Sequence, residues 1–180
     1  RPTIVSLNPC TDAILADVTA PGQLLAISHY SKDPRSSSMP AKQASRYRAT
    51  GGTVEEVLAL DPDVVVAGSF IAPATRAALE DLGMEVVTFG IASDVASSEE
   101  QIRELASLSG DPQAGQRLIE RIEAALTEAE APDGRAVDVL LWQPGGIVAG
   151  EQSLVSDLLA RTGFTTGAPA RGLSQADYVA

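Results

Sequence analysis

The feature that most constrains this chain is a regular alternation between short apolar runs and longer amphipathic stretches. The run Val64 to Ala67 is apolar without a break, as is typical of a parallel strand covered on both faces. Similar strand-length runs stand at residues 3–7, 24–28 and 85–89, and each is followed by a turn and a helical pattern. This alternation predicts an α/β fold with mainly parallel sheets flanked by helices.

The helical patterns begin at residues that favour helix termini. Thr11 or Asp12 fits the N-terminal cap of the first helix. The segment Thr53 to Glu56 has the spacing of a capping box, in which a threonine hydroxyl and a glutamate carboxylate bind each other's backbone N–H groups. Pro73 fits the first turn of a later helix. These signals place helices between successive strands.

The longest helical pattern covers residues 111–131. Leu118, Ile122 and Leu126 lie on its apolar stripe, and glutamates lie outside the stripe. A helix of this length spans roughly 30 Å, about the width of a small domain. We therefore expect it to connect two lobes.

The segment after this helix, residues 132–180, is short for a lobe. It offers one strand-like run, Val137 to Trp142, and one helical pattern, Ser153 to Arg161. A single strand cannot satisfy its own backbone hydrogen-bonding groups, so we expect its neighbours to come from residues outside this sequence or from another chain. The predicted division is an N-terminal α/β lobe (1–110), a connecting spine helix (111–131) and an incomplete C-terminal α/β lobe (132–180).

Composition excludes several classes of protein. With 24 acidic and 13 basic residues the net charge is −11, which leaves little material for the basic face of a nucleic-acid-binding protein. Cys10 has no second cysteine in the sequence for a disulfide or a multi-cysteine metal site. No run approaches the ~18 apolar residues of a membrane span. Arg1-Pro2 leads directly into a strand, so the protein is cytosolic or its signal peptide has been removed.

Several blocks in order resemble a known family. Thr3 to Pro9, followed by Thr11-Asp12, is similar to the opening of the helical-backbone (class III) periplasmic substrate-binding proteins of ABC importers. Ile27 to Ser31 resembles their second strand and the aromatic loop after it. Glu55 to Val66 resembles their "E-x-L-x-x-x-x-P-D-L-V" block, and Leu82-Gly83 follows at the expected distance. The cobalamin, ferric-siderophore and haem binders belong to this group.

The resemblance implies two α/β lobes joined by one rigid helix, with a metal chelate held in the cleft between them. It implies a monomer in the periplasm, after removal of a signal peptide, that delivers the chelate to an ABC importer permease in the inner membrane. It implies no catalysis, no cofactor and no metal site of its own. Two positions depart from the family: Pro73 stands near a position where many members carry a permease-docking glutamate, and Ala49 to Gly52 replaces a tryptophan of cobalamin binders.

Candidate ligand-binding residues are those in loops that follow strands, because ligands of open α/β sheets bind beyond the carboxyl ends of the strands. The candidates are Tyr30, His29, Trp142, Gln143, Phe70, Cys10 and Asn8.

Each candidate has a structural alternative. His29 either contacts ligand, for instance as an axial ligand of haem iron, or is a half-exposed loop residue. For Cys10 a small buried side chain is favoured over a reactive thiol at a helix N-terminus. Trp142 and Phe70 either stack on a ligand or pack in a core. A lone histidine argues against zinc- and manganese-binding relatives, which need several ligands close together.

Two rival functions remain open at this point. The chain could be a cytosolic α/β enzyme that uses Cys10 or His29, or a domain whose acidic surface binds another protein. The sequence contains no G-x-G-x-x-G, no P-loop and no G-x-S-x-G motif. Arg35, Arg46 and Arg48 form a small basic group that either binds siderophore carboxylates or is solvated.

Overall fold

The computed structural model describes residues 1–131, 134, 136–143, 145, 147–148, 150 and 152–166. Its contacts divide the chain into two units. The first unit comprises Arg1–Ile91 and Glu100–Ile119, and the second comprises Ala92–Glu99 and Glu120–Ala180.

The first unit is built on a five-stranded sheet in which every pair of neighbours is parallel. Its strands are β1 (Ile4–Ser6), β2 (Leu24–Ser28), β3 (Arg48–Thr50), β4 (Val64–Gly68) and β5 (Glu85–Phe89). They lie in the order β3-β2-β1-β4-β5. The predicted parallel α/β architecture is therefore confirmed.

Helices connect the strands of this sheet or follow its last strand. They are α1 (Pro9–Val18), α2 (Ala41–Ala44), α3 (Val54–Leu58), α4 (Pro73–Asp81), α5 (Val95–Leu108) and α6 (Pro112–Glu128), with a 3₁₀ turn at His29–Lys32. The first of them begins differently from the prediction. Asn8 is its N-terminal cap, with its Oδ1 accepting from the N–H of Cys10, whereas we expected Thr11 or Asp12, both of which are buried.

Burial on both faces explains the composition of the central strands. All five residues of β4 are buried. Neighbouring residues along a strand point to opposite faces, so Ile4 and Val66 join one core cluster while Val5 and Val65 join another. Helices α1 and α5 pack on the first face, and α3 and α4 on the second.

The third strand of the sheet could not be recognised from its sequence. Arg48 and Ala49 are exposed in β3, and only Thr50 is buried. The strand pairs with β2 through backbone hydrogen bonds at the edge of the sheet, so its side chains carry no alternating apolar pattern.

The described part of the second unit contains two small sheets and a helix. Strands β6 (Val137–Val139) and β9 (Phe164–Thr166) pair in parallel, and β7 (Trp142–Gln143) pairs antiparallel with β8 (Ile147–Val148). Helix α7 (Leu154–Arg161) is capped by Ser153.

The expectation of one strand from Val137 to Trp142 without a partner in this chain is wrong. The strand ends at Val139, and β9 supplies its neighbour. We missed β9 because it is three residues long and mostly exposed, too short to show alternation. The predicted lobe 132–180 lies partly outside the described residues, which end at Thr166.

Helix α6 is the long helix predicted for residues 111–131, and it is slightly shorter at both ends. Its buried residues are Ala114, Gly115 and Ile119, whereas the predicted stripe residues Leu118, Ile122 and Leu126 are half-buried. A Cβ at Gly115 would lie 2.5 Å from the Cβ of Ala106 in α5, so the missing side chain lets the two helices approach. None of the described helices is long and apolar enough to cross a membrane.

We expect Gly115→Ala to destabilise the first unit by about 1–2 kcal/mol. The strain of forcing two helices apart outweighs the roughly 0.5–1 kcal/mol that alanine gains over glycine in a helix. Urea unfolding measures the effect, and Gly90→Ala is the matched control, because a Cβ there meets no atom within 4 Å. Equal stability of both variants would contradict a close α5–α6 contact at this residue.

The binding edge of the first unit

The topology of the first sheet places a crevice at one defined point. From β1 the chain adds β2 and then β3 on one side, and it then returns to add β4 and β5 on the other side. The loops that leave β1 and β4 therefore diverge at the carboxyl ends of these two strands. In open parallel sheets ligands bind at such a reversal point. We call the side of the sheet where the strands' carboxyl ends lie the carboxyl edge.

A hollow of about 240 Å³ lies at this point. The residues that line it end β4, follow β1, β3 or β4, or open helix α4: Leu7, Asn8, Gly51, Gly52, Ala67, Gly68, Phe70, Ile71, Ala72 and Thr75. None of these side chains carries a charge. The hollow therefore suits an apolar group with a few hydrogen-bonding atoms.

Gly68 sets the space between two predicted site residues. A Cβ on Gly68 would lie 2.6 Å from the Nδ2 of Asn8 and 2.9 Å from the ring of Phe70. Both side chains thus rest directly on the glycine backbone. The Oδ1 of Asn8 accepts from the N–H of Cys10 at 2.8 Å, so its amide N–H₂ group is the donor that Asn8 presents at the hollow.

The Thr50–Gly52 loop is held in place by Glu56. The carboxylate accepts from the Thr50 hydroxyl at 2.8 Å and from the Gly51 N–H at 2.6 Å. These hydrogen bonds hold the pKa of Glu56 below its ordinary value. One half of the predicted capping box is confirmed: the Thr53 hydroxyl oxygen accepts from the Glu56 N–H at 3.2 Å.

His29 and Tyr30 lie together at the carboxyl end of β2. Their ring centroids are 4.0 Å apart, and Tyr30 is 55% exposed. The Nδ1 of His29 lies 3.3 Å from the carbonyl oxygen of Thr50. A carbonyl only accepts hydrogen bonds, so Nδ1 carries the proton, and in the neutral imidazole Nε2 then has the free lone pair that a metal-bearing ligand could use.

The turn that carries these two rings is held by a buried carboxylate, for which the sequence indicated only a helix cap. Asp12 is fully buried, and its Oδ2 accepts from the Ser28 N–H at 2.9 Å and from the Ser31 hydroxyl at 2.6 Å. Burial raises the pKa of Asp12 from 3.8 to about 6, against the lowering effect of these hydrogen bonds. The aspartate stands three residues into α1, and its spacing from the serines gave no signal of this contact.

The remaining predicted site residues lie elsewhere. Cys10 is exposed, which corrects the expectation of a small buried side chain; α1 buries the face that carries Thr11 and Leu15 instead. Trp142 lies in β7 of the second unit and is 42% exposed, and Gln143 follows it in the same strand. The structure thus brings Asn8 and Phe70 together at the hollow.

Of the three arginines that form the basic group, Arg35 has an acidic partner. Arg35 pairs with Asp33 at 3.0 Å, while Arg46 and Arg48 are exposed. Among the described residues no group of three or more His, Cys, Asp or Glu side chains is placed to hold a metal ion.

A second hollow lies within the second unit, with a volume of about 570 Å³. Its two carboxylates already have partners in the protein. Asp157 accepts from the Val95 N–H and from Arg161, and Asp94 accepts from the Ser97 N–H. These contacts join the start of α5 to α7 within that unit and have a structural explanation.

These features define an α/β binding protein with an uncharged hollow at the reversal point of a parallel sheet. The family model described as periplasmic binding protein matches residues 4–180. The chain therefore belongs to the periplasmic binding protein family. A search of curated protein sequences finds no match.

Solved structures share this fold at low sequence identity. The periplasmic haem-binding protein RhuT of Roseiflexus sp. RS-1 superposes with a TM-score of 0.70 at 21% identity, covering 95% of this chain and 67% of that one. An ABC transporter substrate-binding protein of Listeria monocytogenes gives 0.69 and 19%, covering 99% and 71%. The periplasmic vitamin B12-binding protein BtuF of Vibrio cholerae gives 0.67 and 19%, covering 97% and 71%. The chain thus spans roughly two thirds of each of these structures.

We expect the stability that Asp12 contributes to fall as the pH rises. Its folded pKa of about 6 lies above the ordinary value, so the folded state binds this proton more tightly than the unfolded state. The contribution is complete below about pH 4 and is lost as the pH rises through 6, a change of roughly 3 kcal/mol. Because other carboxyl groups also titrate, the quantity to measure is the difference in unfolding free energy between Asp12→Asn and the wild type.

Urea unfolding at about pH 4 and about pH 7.5 gives this difference. We expect Asp12→Asn to gain on the wild type between the two pH values. Asp17→Asn, an exposed change on the same helix, is the control and should show no such gain. A difference that is the same at both pH values for Asp12→Asn would contradict a raised pKa.

Proposed function

We propose that this protein is the substrate-binding component of an ABC importer, that it works in the periplasm after removal of a signal peptide, and that it captures a metal chelate at the carboxyl edge of its first unit. Membership of the periplasmic binding protein family supports this role. The names of similar structures include a haem binder, a vitamin B12 binder and an ABC transporter substrate-binding protein. The permease is the proposed partner, and no catalytic step is assigned to the chain.

The observation that carries the proposal is a set of exposed apolar side chains on that edge. Tyr30 follows β2, Phe70 follows β4 and Ile91 follows β5, and they are 55%, 66% and 82% exposed. Large apolar side chains concentrated at a ligand-binding position of the fold indicate a surface that is covered when a ligand binds. These three residues surround the carboxyl ends of adjacent and near-adjacent strands.

The chemistry of the edge favours a large, mostly apolar chelate. The hollow is lined without charges, so a group that enters it need not be ionic. Of the three arginines considered for siderophore carboxylates, Arg35 already pairs with Asp33. A flat macrocycle such as haem or the corrin of cobalamin matches exposed rings and an amide donor better than a polycarboxylate siderophore does.

The division of the chain into an N-terminal lobe, a spine helix and a C-terminal lobe is also part of this proposal. The boundaries 1–110, 111–131 and 132–180 stay a prediction, as does a contribution of Trp142 and Gln143 to binding.

The first experiment is a panel of chelates. Purified protein is titrated with haemin, cyanocobalamin and ferrichrome, and binding is followed by calorimetry. Absence of binding to every metal chelate tested would contradict the proposed function.

We expect Tyr30→Ala and Phe70→Ala each to weaken binding of the chelate by about 1–2 kcal/mol, because each removes an aromatic contact. Leu82→Ala is the matched control, since Leu82 is 51% exposed but precedes β5 and so lies at the opposite edge of the sheet. All three variants should unfold at nearly the wild-type urea concentration. If Leu82→Ala weakens binding as much as the aromatic changes do, the carboxyl edge is not the binding surface.

We expect haemin bound to the wild type to show a shifted Soret band that His29→Ala removes. The reason is that the Thr50 carbonyl holds the proton on Nδ1 and leaves Nε2 free to bind iron. Tyr30→Phe keeps the ring beside His29 and should retain the shifted band. A band lost in Tyr30→Phe but kept in His29→Ala would assign iron binding to the phenol oxygen instead.

A further inference from the structure

A buried polar cluster holds the turn that carries the two exposed rings of the carboxyl edge. Asp12 binds the turn after β2 at two points, the N–H of Ser28 and the hydroxyl of Ser31. The Ser28 hydroxyl in turn accepts from the N–H of Tyr30 at 3.3 Å. The residues on both sides of His29 and Tyr30 are therefore tied to one carboxylate.

The hydroxyl groups of Ser6 and Thr11 also bind each other. The Thr11 hydroxyl donates to the Asn8 carbonyl at 3.0 Å, so it must accept from the Ser6 hydroxyl, 2.8 Å away. The Oδ1 of Asp12 is buried and has no hydrogen-bond partner among the described residues. The two hydrogen bonds that the Asp12 carboxylate accepts at 2.9 and 2.6 Å go through Oδ2 to the Ser28–Ser31 turn, and the Ser6 hydroxyl also lowers its pKa.

Among the described residues, the groups that lower the pKa of Asp12 are hydrogen-bond donors and not cations. Strands β1, β2 and β4 carry no titratable side chain. On α1 the titratable neighbours are Cys10, which is exposed, and Asp17, which accepts from Gln43. On the turn they are the two exposed rings and Lys32, whose ammonium group donates to the Ala44 and Tyr47 carbonyls. Burying a carboxylate costs stability, so the hydrogen bonds from the turn are its main compensation.

We propose that Asp12 is a positioning residue of the binding edge: its ionised carboxylate fixes the Ser28–Ser31 turn, and chelate binding at His29 and Tyr30 weakens when the carboxyl group takes up a proton. Hydrogen bonds to an ionised acceptor are roughly twice as strong as those to a neutral one. Protonation on the unpartnered Oδ1 therefore loosens both contacts to the turn without breaking the fold. The chelate-binding part of this inference rests on the proposed function.

The pKa of Asp12, about 6, supports this inference, because it places the change in an accessible pH range. The first experiment needs no ligand. In ¹⁵N-labelled protein the amide proton of Ser28 donates to the carboxylate, so its chemical shift should move with a midpoint near pH 6. Asp12→Asn should abolish this transition, and Asp17→Asn should leave it unchanged.

Ser31→Ala is a second variant that keeps the carboxylate. It removes a hydrogen bond that favours the ionised form, so the Ser28 midpoint should move to higher pH. A role of Asp12 in packing alone would leave no transition to move. A Ser28 amide that does not titrate, or that titrates equally in Asp12→Asn, overturns the proposal.

The second experiment adds haemin as the probe at about pH 5 and about pH 7.5. We expect wild-type affinity to fall several-fold at the lower pH, and we expect a smaller change in Asp12→Asn, which has no proton to gain. An equal fall in both proteins overturns the link between Asp12 and binding. If haemin, cyanocobalamin and ferrichrome all fail to bind the wild type, the proposed function fails, while the Ser28 titration still decides whether Asp12 fixes the turn.

Discussion

A parallel strand that is covered on both faces can present functional groups only where it ends. Every residue of β4 is buried, and β1 between β2 and β4 is buried throughout. Most side chains of these strands pack in the two core clusters, and β4 reaches the hollow at its carboxyl end, through Ala67 and Gly68. All chemistry of the first unit is therefore displaced to the loops at the carboxyl edge, and the reversal of strand order leaves a gap between two of those loops.

Two carboxylates hold loops at the carboxyl edge through hydrogen bonds, and their pKa values shift in opposite directions. Glu56 lies near the surface and holds the Thr50–Gly52 loop through short hydrogen bonds, so its pKa is lowered. Asp12 is buried and holds the neighbouring turn, so its pKa is raised. The contact between His29 and the Thr50 carbonyl joins the two loops. At this edge of the sheet the charge of Glu56 thus stays constant near neutral pH, whereas the charge of Asp12 changes around pH 6.

The sequence predicted those parts of the fold that depend on burial and on helix termini. The runs at residues 24–28 and 85–89 are strands with the predicted bounds. The first is mostly buried, whereas in the second only Phe89 is buried. Strands β3 and β9 were missed, since edge strands of three mostly exposed residues are defined by backbone pairing with a distant segment. The resemblance of the sequence blocks to a family was specific enough to predict the family correctly.

The candidate site was predictable at the level of loops but not of contacts. Asn8, His29, Tyr30 and Phe70 were chosen because they follow strands, and they lie on the carboxyl edge. Asp12 could not be chosen on that ground, since it stands within a helix and reaches the turn across 16 and 19 residues of sequence. The exposure of Cys10 was also missed, because a position one residue after a cap does not reveal which face of the helix it occupies.

The absence of a side chain at Gly68 has a consequence for how such a protein could change its ligand. The Asn8 amide and the Phe70 ring lie within 3 Å of where a Cβ would stand, while the backbone of this residue stays paired with β5. A methyl group introduced here would displace two side chains of the proposed binding site and leave the strand pairing as it is. The size of the proposed site can therefore be altered by one substitution, independently of the residues that make the lobe fold.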